Sequence, residues 1–376
     1  MRERRNVPAM LAALSIGASL AVVAGPAPAA GADTGWTVKP VPFTFGSSDL
    51  QTVTAAGPDA VLAGGAQAKW RQEPWCGLGI CQSTDHHNPV LQKWNGSGWS
   101  WISTPGMTGK GQIHHVDAVT AANVWAGGGY DNGLPYFARL DAGVWQNVAP
   151  PAQLGTVRTL DADAAGAWAA GEPRSVSGGP SLFRWVDGTW TPQDLGSASI
   201  NTVRQRVAGD VWAVGETGAN EGYAARYDGT SWSTVTPPQM ARGELHSVLP
   251  LADDDVWVTG SVWRNGVDLA VSYHWDGSTW REDALPAGTS FGERTGAAAI
   301  TDDGAGGVWA VAHYSDKVDG GPGILHYTGG AWRLEATAPG SSSILGLARV
   351  PGTSTLWAVG AVGAGINTEI LILTKG

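Results

Sequence analysis

One short pattern recurs along this chain and limits its fold more than any other feature. An apolar run ending in or near glycine reads Val61-Leu62-Ala63-Gly64-Gly65. It returns as Val124-Trp125-Ala126, Ala167-Trp168-Ala169, Val211-Trp212-Ala213-Val214-Gly215, Val256-Trp257-Val258, Val308-Trp309-Ala310-Val311 and Leu356-Trp357-Ala358-Val359-Gly360. A second pattern alternates with it: an aromatic residue, a tight turn, then Trp five residues on. It reads Trp94 to Trp99, Trp185 to Trp190, Tyr227 to Trp232, Trp275 to Trp280 and Tyr327 to Trp332, with Leu140 to Trp145 as a variant. From Trp125 onward the first pattern returns every 43 to 52 residues, a period that belongs to repeat architectures.

Each repeat reads as four antiparallel strands, a to d. A run such as Leu245-His246-Ser247-Val248 is strand a, the Val-Trp-Ala-Val-Gly run is strand b, the aromatic run is strand c, and Trp opens strand d. Asn95-Gly96, Asp187-Gly188, Asp228-Gly229 and Asp276-Gly277 lie between c and d. Asn-Gly and Asp-Gly favour the positive φ of type I′ hairpins. Four such strands cannot bury both faces alone, and radial stacking covers them. The expectation is an all-β, seven-bladed β-propeller of four-stranded blades. Seven strand-b patterns face only six turn–Trp patterns downstream of them. The missing strand d is Gly35-Trp36-Thr37-Val38, so the N-terminal strand is expected to close the last blade. This assigns 16 of the 20 Trp to blade packing and adds Trp101 to the framework by its spacing from Trp99.

Residues 1–32 read as a signal peptide: Arg2, Arg4 and Arg5 precede an apolar run from Ala9 to Ala24 and small-residue cleavage sites. That run is shorter than a bilayer span, so a secreted, extracellular chain without a membrane anchor is expected. Residues 33–376 then form a single propeller domain, expected to be a monomer. The formal charge of −10 excludes nucleic acid as the main partner, which needs a basic footprint.

The Val-Trp-Ala-Val-Gly and Tyr/Trp-Asp-Gly-x-x-Trp patterns resemble kelch-like and galactose-oxidase-type propellers, and most of all secreted bacterial propeller-repeat proteins. The resemblance covers nearly the whole mature chain and speaks to fold. Sialidase-type Asp-boxes place a residue between Asp and Gly, whereas here the two are adjacent. WD40 blades share Trp275-Asp276, but their Gly-His signature is missing. The copper chemistry of galactose oxidase needs a framework cysteine, and Cys76 and Cys81 share one loop. No cofactor is expected.

Candidate ligand contacts fall on the side where the b–c and d–a connections emerge. The longest connection, from Gly65 to Trp94, reads as a loop carrying Trp70, Arg71, Trp75, Cys76, Cys81, His86 and His87. Trp70, Trp75 and Trp263 lie outside the repeat framework; they suit stacking on a sugar or a protein hot spot, or capping of their own loop. Cys76 and Cys81 are expected to form a disulfide in an exported chain. A Cys2His2 metal site with His86 and His87 is disfavoured, because adjacent histidines rarely reach one metal and oxidation competes. No metal is expected.

Aligning the repeats puts Gln51, His114, Arg158, Asn201, His246, Thr295 and Leu345 at one mouth position. Glu216, Arg294, His313 and Tyr314 fall close by. Such a ring is either polar channel lining or a ligand site. The leading expectation is a non-enzymatic recognition module for an extracellular glycan or protein, with Trp70, Arg71, Trp75, His114, Arg158, Asn201 and Trp263 as contacts. The alternative is a polysaccharide lyase or glycoside hydrolase using His246, His313, Tyr314, Arg294 and Glu216 for proton transfer beside a carboxylate.

Overall fold

The computed structural model describes residues 35–376, apart from 78–79, 108–109, 176–177, 292–298, 315–321, 338–341 and 365–366. Within its strands, the side chains of 71–77, 80–85, 313–314, 337 and 364 lie outside the description. The fourth repeat shows how each is built. Ser199–Val207, Asp210–Glu216, Gly222–Tyr227 and Trp232–Thr234 pair in that order as strands a to d of one antiparallel sheet. Every residue of Val211–Gly215 is buried, because strand b is covered on both faces by neighbouring blades. That is why its sequence is continuously apolar rather than alternating.

Seven such sheets form, and the inner strand of each contacts the inner strand of the next all the way round. The chain is a closed seven-bladed β-propeller of four-stranded blades. In the last blade Ser342–Arg349, Leu356–Ala364 and Asn367–Lys375 are strands a to c, and Trp36–Val38 is strand d. Trp36 lies opposite Lys375, Thr37 opposite Thr374 and Val38 opposite Leu373. Lys39 N–H donates to the Ile372 carbonyl at 2.9 Å and extends the pairing.

The alternation of the two sequence patterns has a packing cause. Each strand-b Trp inserts against the aromatic pair that brackets the c–d turn of the following blade. Trp125 meets Trp185 at 4.9 Å, Trp168 meets Trp232 at 5.8 Å, and Trp212 meets Trp280 at 6.0 Å. Trp257 meets Trp332 at 5.8 Å, Trp309 meets Trp36 at 6.4 Å, and Trp357 meets Trp99 at 5.4 Å across the closure. All six are edge-to-face contacts, worth about 0.5–1.5 kcal/mol each beyond area burial. A strand-c residue covers other Trp faces: Arg184 over Trp168 and Arg226 over Trp212, with His274 on Trp257 and His326 on Trp309. Trp101 departs from the expectation. It ends the outermost strand, Trp99–Trp101, and is 40% exposed whereas Trp99 is 9% exposed; the neighbouring blade covers the start of that strand, not its tip.

The c–d turns divide into two kinds. In the third blade Asp187 and Gly188 both have positive φ, 49° and 86°, the type I′ geometry expected of Asp-Gly. Ala142-Gly143 and Gly329-Gly330 do the same. In the first, fourth and fifth blades only the glycine is left-handed, and the preceding Asn or Asp caps a four-residue loop instead. Asp228 Oδ1 accepts the Thr230 and Ser231 N–H groups at 2.8 and 2.9 Å, and Asp276 Oδ1 those of Ser278 and Thr279 at 2.9 and 2.8 Å. The position of the Asp selects the loop: Asp228 and Asp276 directly follow the strand-c aromatic and leave four residues before Trp, whereas Val186 separates Trp185 from Asp187 and pairs with Thr189 across a two-residue turn.

Two connections expected as loops are hairpins. Strands b and c of the first blade continue through the long insertion as Ala60–Gly77 and Ile80–Trp94, with Trp70 opposite His86 and Gly77 opposite Ile80. Pro74 falls where the register shifts between Gln72 and Trp75, a place where a missing N–H breaks no ladder bond. In the fifth blade Asp255–Arg264 and Val267–Trp275 continue around Trp263, joined by the left-handed pair Asn265-Gly266. Among the described residues no helix is long and apolar enough to cross a membrane.

Candidate functional site

The mouth position found by repeat alignment is a β-bulge. Leu50 pairs with Gly65 and Thr52 with Gly64, which leaves Gln51 extra; His114, Asn201, His246 and Leu345 are extra in the same way. A bulge redirects its side chain, here into the central channel, where all five line a cavity of about 900 Å³ together with Arg158. The bulge also explains the glycine that closes strand b. A Cβ on Gly65, Gly128, Gly171, Gly215, Gly260 or Gly360 would lie 1.8–2.2 Å from a strand-a carbonyl oxygen, so only glycine fits there.

Inner strands of adjacent blades form no ladder with one another, so their exposed backbone groups need other partners. Three layers of side chains supply them. At the bulge, Asn201 donates to Glu244 Oε1 at 2.6 Å and to the Leu245 carbonyl at 3.0 Å. Gln51 donates to Gln112 at 3.0 Å, and Arg158 to Ser199 at 3.0 Å, Asn201 at 2.9 Å and Glu172 at 2.8 Å. One residue deeper, Thr52 and Thr159 accept the Val116 and Val203 N–H groups, and Thr202 donates to the His246 carbonyl at 2.6 Å. Deeper still, Thr54, Asp117 and Asp161 accept the N–H groups of Ala118, Ala162 and Gln205 at 3.2, 2.6 and 2.7 Å. Arg204 replaces an acceptor in the fourth blade and turns back to Asp161 at 3.1 Å. The fifth to seventh blades add apolar lining from Leu249, Pro250, Leu345 and Leu347 beside Ser247, Thr301 and Arg349.

The wall shifts its titrating groups. Burial, reinforced by the neighbouring Asp117 carboxylate, pushes Asp161 up to about 7 against the pull of Arg204. Burial lowers His115 to about 3, with the His114 and Arg204 charges acting in the same direction. His114 is lowered by burial as well.

The ring therefore does gather His114, Arg158, Asn201 and His246, and Glu216 lines the same cavity. His246 is 6% exposed and contacts Ser261 Oγ at 3.3 Å, with Glu244 at 4.0 Å. Arg294 and Thr295 lie outside the described residues, as do the side chains of His313, Tyr314, Arg71, Trp75, Cys76 and Cys81. The backbones of Cys76 and Cys81 are opposite one another in the ladder. In the sixth blade the described parts of strand a are Thr289–Ser290 and Ile300–Asp302, both paired with Val308–Tyr314.

Trp70 is 55% exposed and stacks on His86 at 4.2 Å. His86 and His87 both reach Asp131 in the second blade, at 3.5 and 2.9 Å, and pin the hairpin to its neighbour. Trp263, in the non-adjacent fifth blade, is 41% exposed with the Arg242 guanidinium 5.3 Å from its ring centroid. Phe43 and Phe45, which sequence reasoning passed over, are 74% and 66% exposed and pack edge-to-face. Phe45 O accepts the Ala68 N–H, which places that pair beside the base of the hairpin. No group of three His, Cys, Asp or Glu is placed to hold a metal among the described residues.

Comparison with known proteins shows the fold alone. YCF48, solved bound to a D1 peptide, is similar over 91% of this chain and 97% of its own, at 13% identity and a TM-score of 0.58. The extracellular domain of a B. thetaiotaomicron one component system covers 89% of this chain and 40% of the other, at 12% identity and a TM-score of 0.54. A GH74 xyloglucanase from Xanthomonas campestris covers 89% and 55%, at 13% identity and a TM-score of 0.55. The likeness is thus to β-propellers at large, not to the kelch or galactose-oxidase type in particular. No family model and no curated protein matches the chain.

Proposed function

We propose that the protein is an exported recognition module that binds a glycan or protein ligand on the face where the b–c hairpins and d–a connections emerge. The observation that carries this reading is a division of labour at that face. Mouth residues Gln51, Arg158 and Asn201 are engaged in blade-to-blade hydrogen bonds, whereas Trp70, Trp263, Phe43 and Phe45 project into solvent. Exposed aromatics on hydrogen-bonded hairpins lose little entropy on binding, and they are the residues that anchor ligands. The reading is supported by two fold relatives whose descriptions concern a peptide complex and an extracellular domain.

Glycan-array and pull-down screening of the secreted protein tests it. Trp70→Ala and Trp263→Ala are expected to weaken ligand capture at least tenfold with the thermal midpoint unchanged. Capture undiminished in both variants overturns the assignment of the face.

A further inference from the structure

The staples between blades leave two buried acceptors over. Asp49 Oδ1 and His114 Nε2 are buried without a hydrogen-bond partner among the described residues. Both line the cavity at the mouth, and the Asp49 charge acts on the His114 ring. The Val157 backbone favours a proton on the His114 ring, and with Nε2 unpartnered that proton belongs on Nδ1. Burial disfavours protonation of the other nitrogen. In the neutral ring Nε2 is then a bare acceptor. Two unpaired acceptors thus sit on residues that line one cavity, and buried polar groups are seldom left unpaired without a ligand or water to meet them.

We propose that Asp49 and His114 form a subsite for adjacent hydroxyl groups of a neutral sugar; this rests on the recognition reading above and names its ligand class. The partner must donate hydrogen bonds, since both protein atoms accept. A cation is disfavoured because Lys69 already pairs with Asp49, and a second positive group would meet its charge. An anionic sugar is disfavoured because Asp49, Glu216 and Glu244 line the same mouth. The Arg158 guanidinium that lines the mouth is engaged by Glu172, Ser199 and Asn201. A vicinal diol gives one hydroxyl to each acceptor and adds no charge, so it fits where the ions do not.

The test is isothermal titration calorimetry of the protein with cellohexaose, xylohexaose, mannohexaose and maltohexaose, and with hexagalacturonate as the anionic counterpart. At least one neutral hexasaccharide is expected to bind, hexagalacturonate more weakly or not at all. Asp49→Asn, which turns one acceptor partly into a donor at constant volume, is expected to cut neutral-sugar affinity at least tenfold. His114→Phe does the same; should it fail to fold, Asp49→Asn carries the test. Neutral binding equal in wild type and Asp49→Asn means that only water fills the pair, which overturns the subsite and leaves the recognition face standing. Preference for hexagalacturonate overturns the ligand class. Absence of binding to all five overturns the sugar assignment, and the wider reading then depends on protein capture in the pull-down.

Discussion

The Asp117 carboxylate of the second blade accepts the Ala162 backbone N–H of the third at 2.6 Å. It also accepts the Ala118 N–H at 3.0 Å, so one side chain satisfies backbone groups on two inner strands. Replacing it by Ala strands the Ala162 donor beside a narrow channel and leaves the Ala118 N–H to Thr54 alone. Asp117→Ala is expected to cost about 2–3 kcal/mol, the range for a charged acceptor lost from buried donors. Urea unfolding checks this, and a loss under about 0.5 kcal/mol would show that channel water replaces the carboxylate.

A methyl group is the sharpest probe of the bulge. Gly215→Ala places a Cβ 1.9 Å from the Ser199 carbonyl oxygen, backbone that cannot swing aside. The expected loss is about 3 kcal/mol or more, at the severe end for single substitutions. Gly98 has no heavy atom within 4 Å of the same position, so Gly98→Ala is expected to stay within about 0.5 kcal/mol. Thermal melts of the two variants side by side would refute the steric account if their midpoints matched.

Removing Gly35–Lys39 uncovers the edge of Asn367–Lys375 and takes Trp36 from Trp309. Amide exchange at Ile372 and Thr374, whose N–H groups face the removed strand, is expected to accelerate, and the melting midpoint to fall by several degrees. Unchanged exchange at those amides would mean that the pairing contributes nothing to closure.

Two channel groups give pH dependence of opposite sign. Asp161 is raised to about 7, so its contribution to stability is full below the ordinary carboxylate range and disappears as pH rises through about 7. His115 is lowered to about 3, so its contribution is present above about 6.5 and is lost as pH falls toward 3. Between them the slopes oppose. Asp161→Asn removes only the first, so the stability of wild type relative to this variant is expected to grow as pH drops from 8 to 5, by up to about 1.4 kcal/mol per unit. Urea midpoints at three pH values measure the gap; a gap that narrows toward acid contradicts the burial argument.

The period, the blade count and the role of Trp36 were legible because each is written in spacings within one repeat. The mouth position at Gln51, His114, Asn201 and His246 was legible for the same reason, since a bulge keeps its distance from the strand-b Trp. Its partners were not. Asn201 meets Glu244 only because neighbouring inner strands adopt a particular stagger, which a single repeat does not encode. The hairpin around Trp70 reads as loop because residues 66–88 lack the period-two apolar alternation that marks a half-buried strand. Phe43 and Phe45 belong to neither repeat pattern, so no spacing in the sequence distinguishes them from ordinary connection residues. The turns at Asp228 and Asp276 differ from that at Asp187 because Asp-Gly serves both hairpin geometries, and its distance from the strand-c aromatic decides between them.

The pairing of Thr37 with Thr374 spans 337 positions. During synthesis the N-terminal ribbon must wait, its amides unanswered, while six sheets assemble behind it. Contacts of such sequence separation form slowly, so the final act of folding is a latch that shuts on the oldest part of the chain. Until it does, an open-sided intermediate presents Asn367–Lys375 as a docking strip to any passing strand.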